Sequence, residues 1–389
     1  MVYLFNPEND LALSNFSATY TPPASAVKMA EDLSLLPLWY ADDASFIWAK
    51  DNEINQHFIN NFNRLFNKNF QLFNPEKRKS EQLQPWGWDP SLLKKCLNTA
   101  SFEEIYLPNI TDIRQLRTYS HRKNAVEILR QLKSDNDEFC GESHYFTEMC
   151  DLLDWLNQRG STSVLKMPLS GSGKGLMWII DTITPKQTDW AKRVISQQGG
   201  IIAEPKFDKI QDFAIEFQLL DGKVEFLCYS LFDTYQGGAY KGNYLLSDDE
   251  IEHHLVQLGV PKSQLEVLKN KLSAILSATF PEYRGVLGVD MMFCTTPDGN
   301  KIHPCVEVNL RMNMGIVAHK IYENFLLPAS YGKFCIEYFN NMADIMQFFQ
   351  ENQKKYSLSI ENHKIRSGFL FLTPISKTLK FIAYIIIEC

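Results

Sequence analysis

The chain has 389 residues, too many for one small core, so two to three domains are expected. Hydrophobic residues make up 45% of it and charged residues 22%, the balance of a globular protein rather than a disordered one. With 39 basic and 46 acidic residues the net charge is −7, which argues against a general nucleic-acid binder.

The opening "MVYLFNPEND" has no basic segment and meets acids at Glu8 and Asp10, so it does not read as a signal peptide. "MVYLF" is a strand running into a turn at Asn6-Pro7. "LLPLWYA", "FQLF" and "EEIYLP" read as further buried strands, with helices around Asn55 to Leu65 and Ser91 to Leu97 between them. Such alternation predicts an open α/β layer to about residue 118. "LFNPE" occurs at Leu4 to Glu8 and again at Leu72 to Glu76, which is read as two strands ending in similar Asn-Pro turns.

"SHRKNAVEILRQL" has helical spacing with Ser120 as its N-cap, and "DLLDWLNQRG" is a second helix ending at Gly160. "TSVLKMP" and "MWIID" are strands on either side of "LSGSGKG". The P-loop pattern fails here: Pro168 stands at the first glycine, Gly175 at the hydroxyl, and the loop joins two strands instead of opening a helix. A helix from about Lys186 ends in Gly199-Gly200, and Pro205 stops the strand "IIAE". "DFAIEFQLLDGKVEFLCYS" is a hairpin turning at Asp221-Gly222. Alternation puts Asp212, Ala214, Glu216 and Gln218 on one face and Phe213, Ile215, Phe217 and Leu219 on the core face. The Gly-rich "DTYQGGAYKGNY" and a helix from about Gln264 to Thr279 follow.

In "GVLGVDMMFCTTPDGNKIHPCVEVNLRMNMG", Asp298-Gly299 is taken as a two-residue hairpin loop without a bulge. Then 297 pairs with 300, Asp290 lies opposite Glu307, and Gly288 lies opposite Asn309. Two carboxylates facing across a ladder repel. A divalent cation relieves this, and Asp290, Glu307 and Asn309 offer the hard oxygen ligands that suit magnesium; Gly288 is expected to leave room for a ligand. Water or nearby arginines on a half-exposed face are the alternative.

The eight cysteines are dispersed with no C-x-x-C pair, which predicts reduced thiols and no zinc site. The most apolar stretch is broken by Pro374, Lys377 and Lys380, so no window spans a bilayer. The expected location is cytoplasmic, with neither nucleic acid nor membrane as partner, and the oligomeric state is not legible.

From about Ser120 to Ala318 the chain resembles the ATP-grasp superfamily, through "VLKMPLSGSGKG", "AEPKFDKIQDFAIEF", and "GVDMMF" followed by "VEVNLR". It departs from the family in having Lys-Met-Pro for the commoner Lys-Pro, and "EFCGESHYFT" where a Gly-Ile/Val-Pro-x-Pro segment is usual. The resemblance implies an α+β fold in three parts: an N-terminal open α/β domain over 1–118, a subdomain with the phosphate loop over 119–204, and a subdomain with the metal hairpin and a C-terminal extension over 205–389. It implies ATP, with one or two magnesium ions (or manganese) on Asp290, Glu307 and Asn309. Lys166 and Lys123 would contact the nucleotide, and Gly171, Ser172, Gly173 and Gly175 would bring backbone N–H groups to its phosphates. Lys174 either adds charge there or points to solvent. Glu204, Lys206 and Phe207 would form the adenine hinge and Asp212 would bind the ribose, with Glu216 behind it. Arg311 would stabilise transferred charge, and Lys241 would reach the γ-phosphate.

The implied reaction joins a carboxylate to an amine or thiol through an acyl phosphate, releasing ADP and phosphate. The substrates would be small molecules or peptides. A kinase without ligation, or a silent nucleotide-binding regulator, remains the alternative. "FNPEND" (Asn6, Glu8, Asn9, Asp10) and "TYQGGAYKGNY" are the segments expected to shape the acceptor pocket. His253 and His254 read as surface residues, and His303 and His319 carry no assignment.

Overall fold

The computed structural model describes residues 1–77, 81–99, 101–134, 138–171, 175–235 and 237–389. Among these residues the strands form three sheets. The first is four-stranded, parallel and ordered β3-β2-β1-β4, from β1 (Val2–Leu4), β2 (Phe46–Ile47), β3 (Gln71–Leu72) and β4 (Leu83–Pro85). The helices α1 (Asn9–Asn15), α2 (Ala24–Asp32), α3 (Glu53–Phe66) and α4 (Pro90–Leu97) lie between and after its strands.

"LLPLWYA" is not a strand. Leu36–Trp39 forms a 3-10 turn, with Pro37 at its start, where a missing N–H breaks nothing. Trp39 is buried in contact with Phe62, Phe66 and Phe325, and its Nε1 donates to Leu372 O at 2.8 Å. An apolar run buried on all sides looks the same in either conformation. "EEIYLP" is likewise a 3-10 turn, Glu104–Tyr106, with Ile105 exposed.

The helix expected from Ser120 is α6 (Lys123–Lys133), which starts three residues later, and a further helix, α5 (Ile110–Tyr119), precedes it. Ser120 caps the end of α5 rather than starting α6. Asn109 opens α5 with a reciprocal cap on Asp112.

The second sheet is antiparallel, ordered β5-β8-β6-β7, from β5 (His144–Phe146), β6 (Ser163–Lys166), β7 (Leu176–Ile179) and β8 (Ile201–Pro205). Two helices, Met149–Arg159 and Pro185–Gln198, cover it around Leu152, Leu165, Ala191, Val194 and Ile201. The glycine loop therefore joins paired strands, with Lys166 opposite Leu176. Gly175 at φ +76 returns the chain; a Cβ there would come within 2.8 Å of Ser170.

The third sheet has nine strands, ordered β13-β12-β9-β10-β11-β14-β17-β16-β15. They are β9 (Asp208–Leu220), β10 (Lys223–Thr234), β11 (Tyr240–Leu245), β12 (Gly285–Thr296), β13 (Gly299–Asn309), β14 (Tyr331–Tyr338), β15 (Ser359–Glu361), β16 (Lys364–Phe371) and β17 (Phe381–Glu388). The strands after residue 330 thus extend the sheet that carries the acidic hairpin. Phe213, Ile215, Phe217 and Leu219 face a core closed by Leu265, Leu268, Leu272 and Leu276 of the helix Lys262–Thr279. Asp212, Ala214 and Glu216 face the other way.

Candidate active site

The β12–β13 hairpin brings Asp290 opposite Glu307 and Gly288 opposite Asn309, the pairing expected from the sequence. It arrives there by a different route. The turn lies one position earlier, with Thr296 opposite Gly299, and a bulge between Asp290 and Met292 takes up the difference.

Asp290 is half-buried, and desolvation together with the facing Glu307 carboxylate pushes its pKa up to about 7. Asn309 Nδ2 donates to Asp290 Oδ2 at 3.0 Å, while Asn309 Oδ1 accepts from Arg311 Nη2 at 3.1 Å. Two facing carboxylates and an amide, one acid raised by desolvation and by its neighbour, fit a hard divalent cation. Among the described residues no cluster of three His, Cys, Asp or Glu side chains competes for that role.

Gly288, expected from its place opposite Asn309 to leave room for a ligand, does not do so. A Cβ there would lie 2.4 Å from Glu216 Oε2, so the space belongs to Glu216. Gly315 leaves the same clearance on the other side, 2.4 Å from Glu216 Oε1. Glu216 is buried between them, accepts from Asn313 Nδ2 at 2.6 Å, and is pushed up to about 8 by desolvation.

Two basic residues meet this face. Arg311 packs half-buried against Asp10, with Nε at 2.9 and 2.8 Å from the two carboxylate oxygens and Nη2 at 2.7 Å from one of them. Arg122 donates through Nη2 to Glu307 Oε1 at 2.6 Å, and through Nη1 to Met167 O at 2.7 Å and Ser170 Oγ at 2.6 Å. It thereby ties the base of the glycine loop to the acidic hairpin. The sequence pointed to Lys123, which lies exposed on the first turn of α6; the residue turned inward is its neighbour. Sequence reasoning missed Arg122 because the helix begins after it, so helical periodicity does not place it.

Lys166 and Glu204 pair at 2.5 Å, nearly buried on adjacent strands β6 and β8. Ser143 Oγ donates to the other Glu204 oxygen at 2.9 Å. Beyond β8, Lys206 is exposed and its N–H is taken by Thr162 O at 2.9 Å. Phe207 stands edge-on to His303, whose ring is fully buried and whose nitrogens have no partner among the described residues. Burial lowers the His303 pKa to about 4, so the ring is neutral. Asp212 accepts from Thr234 Oγ1 at 2.8 Å and pairs with Lys209.

Gly171 packs toward Leu11 of α1, its added Cβ 3.5 Å from Leu11 Cδ2. Ser172, Gly173 and Lys174, expected at the phosphates, lie outside the described residues. Lys241 starts β11 exposed, 5.9 Å from the Tyr235 ring centroid. Beside it, a Cβ on Gly238 would come within 3.1 Å of Leu176 Cδ1, so this turn closes on the strand leaving the glycine loop. His319 pairs with Glu323, and His253 and His254 lie on a helix away from the acidic pair.

No family model matches the chain. No curated protein matches it either. Among solved structures, an N5-carboxyaminoimidazole ribonucleotide synthetase in complex with ADP is 11% identical over 100% of this chain and 92% of its own, with a TM-score of 0.49. The N5-carboxyaminoimidazole synthetase of Staphylococcus aureus complexed with ADP is 12% identical over 98% and 92%, with a TM-score of 0.46. An L-amino acid ligase from Bacillus licheniformis is 12% identical over 99% and 93%, with a TM-score of 0.46. Each is a likeness in chain path at low identity.

Proposed function

We propose that the protein is an ATP- and magnesium-dependent ligase of the ATP-grasp type, joining a carboxylate to an amine through an acyl phosphate. The observation that carries this is the Asp290–Glu307 pair, two carboxylates opposite one another with Asn309 beside them on a half-buried sheet face. Magnesium there supplies charge neutralisation for phosphoryl oxygens.

The remaining groups have consistent parts. Lys166 stands at the end of the strand entering the glycine loop, where its ammonium meets phosphate oxygens. Glu204 holds that ammonium in place and, with the Lys206 carbonyl and the Phe207 ring, lines the base pocket. Asp212 offers its carboxylate to ribose hydroxyls. Arg311, fixed by Asp10, presents fixed positive charge beside Asn309 and stabilises charge on the transferred group. Arg122 holds Glu307 against the glycine loop. No nucleophilic side chain is needed, because positioning and charge neutralisation carry phosphoryl transfer.

ADP release measured with carboxylates and amines, singly and together, tests the reading. Release that needs both supports a ligase. A stable phosphorylated product from one substrate alone makes it a kinase, and nucleotide binding without turnover makes it a regulator.

A further inference from the structure

The eight cysteines are dispersed along the sequence, and the fold brings two of them together. Cys140 follows an isolated bridge between Phe139 and Ile302, and its N–H donates to Ile302 O at 2.9 Å. This lays the segment along the outer side of β13, the edge strand of the nine-stranded sheet. Cys294 lies on β12, opposite Lys301 of β13. The Cys140 side chain reaches back over β13, with Sγ 3.7 Å from Lys301 O. There it meets Cys294, and the two thiols hydrogen-bond to one another.

Both are free thiols, but they are not equivalent. Cys294 has no exposed surface, whereas Cys140 is 8% exposed. The hydrogen bond from Cys294 holds the Cys140 thiol below its usual range; burial opposes this, and the positive charges of Lys133 and Lys301 add to it. Lys133 is fixed in place by donating to Gly141 O at 2.5 Å. The same hydrogen bond, with burial, pushes Cys294 up. A thiolate-prone sulfur that reaches the surface, with a second thiol in contact behind it, is the arrangement of an oxidant-reactive cysteine and its resolving partner. Residues 140–143 belong to no helix or strand, so Cys140 can shift toward Cys294 without breaking a ladder.

We infer that Cys140 and Cys294 form a reversible disulfide when the protein meets a hydroperoxide, Cys140 attacking and Cys294 resolving. The Cys140 thiolate attacks one peroxide oxygen and the O–O bond breaks. The other oxygen leaves as hydroxide and takes up the proton that Cys140 gave up, forming water. Cys140 is now a sulfenic acid. The Cys294 sulfur then attacks the Cys140 sulfur, the S–O bond breaks, and the hydroxide leaves with the Cys294 proton as a second water. Two thiols lose two electrons, and the peroxide gains them. A dithiol reverses the bond by exchange. The link ties the segment that leads into β5 to the strand that carries Asp290, stapling the second sheet to the third. It goes beyond the proposed function and is read without turnover.

The test uses the reduced full chain without nucleotide, exposed to a few equivalents of hydrogen peroxide. Remaining thiols are blocked with N-ethylmaleimide in urea, and the digest is mapped by mass spectrometry without reduction. The expected product is one peptide pair joined through Cys140 and Cys294, which dithiothreitol separates. Cys140 should be consumed about tenfold faster than Cys150 and Cys389, which are exposed and serve as internal references. In C294S the joined pair is lost and a dimedone adduct accumulates on Cys140. In C140S the peroxide dose that links the parent leaves Cys294 reduced. The map of the parent protein stands whether or not either variant folds. A Cys140–Cys294 link still absent once Cys150 and Cys389 have reacted, or Cys140 joined to another cysteine instead, overturns the inference. So does a dimedone adduct on Cys140 no greater in folded C294S than in the parent.

Discussion

Asp10 and Arg311 stand 301 positions apart and meet side-on, two carboxylate oxygens against Nε and Nη2. The pair joins the first helix of the parallel-sheet region to the end of the acidic hairpin. Met312 N, donating to Trp86 O at 3.0 Å, adds a second tie at the same junction. Removing the carboxylate leaves a half-buried guanidinium without its charged partner. D10A is expected to lower stability by roughly 3–5 kcal/mol in urea unfolding, and D10N by less. A D10A protein as stable as the parent would show that Arg311 finds solvent instead.

Lys166 and Lys174 separate two readings of the glycine loop. K166A removes a nearly buried ammonium and strands Glu204, so ATP affinity should fall further than in K174A. Isothermal titration with ATP and magnesium measures both. The reverse order would return the P-loop interpretation.

Arg122 and its neighbour make a similar contrast on α6. R122A frees Glu307 and unties Met167 and Ser170, and kcat/KM for ATP is expected to drop roughly tenfold or more. K123A, on the exposed side of the helix, should stay within about twofold of the parent. A larger effect from K123A would place the exposed lysine on the nucleotide after all.

Glu216 carries a pH signature. Its folded pKa is raised to about 8 by desolvation, with Asp290 raising it further and Asn313 and Arg311 opposing. The folded state thus keeps a proton that the unfolded state loses above the ordinary carboxylate value. Stability from this group is full below about pH 4.5 and falls as pH rises toward 8, by up to about 1.4 kcal/mol per unit. E216Q mimics the protonated form and should flatten that part of the profile in metal-free protein. Denaturant midpoints from pH 5 to 8 measure the slope, and an unchanged slope in E216Q assigns the proton elsewhere.

Gly288 and Gly315 are expected to tolerate no side chain. Alanine at either places a Cβ 2.4 Å from a Glu216 oxygen. Each substitution should cost about 1–3 kcal/mol in thermal or denaturant unfolding. G237A, with nothing within 4 Å and an ordinary φ, serves as the neutral control.

Four strands of the nine-stranded sheet, β9, β10, β12 and β13, were legible because their alternation is strict and their turns are Asp-Gly; the strands after residue 330 were not. The facing of Asp290 and Glu307 came out correctly although the hairpin loop was placed one residue late, since the bulge restored the register. No sequence pattern announces a bulge that preserves parity. "LLPLWYA" misled because an all-apolar run carries no period. Arg122 and Asp10 were invisible as partners because contacts across 185 and 301 positions leave no local trace. Gly288 was noticed for the right property, its missing Cβ, but the neighbour that needs the space comes from β9, which the hairpin arithmetic did not include.

One apolar core contains Tyr3, Phe5, Leu36, Trp39, Phe62 and Trp86 together with Val317, Phe325, Phe334, Ile365 and Ile385. The early members leave the ribosome long before the late ones exist. At bacterial-like synthesis rates of about 5–20 residues per second, the wait is on the order of tens of seconds. Throughout it, Trp39 has no Leu372 carbonyl to receive its N–H and no Phe325 to pack against. The nascent N-terminal segment therefore keeps this apolar surface uncovered until the last strands are made.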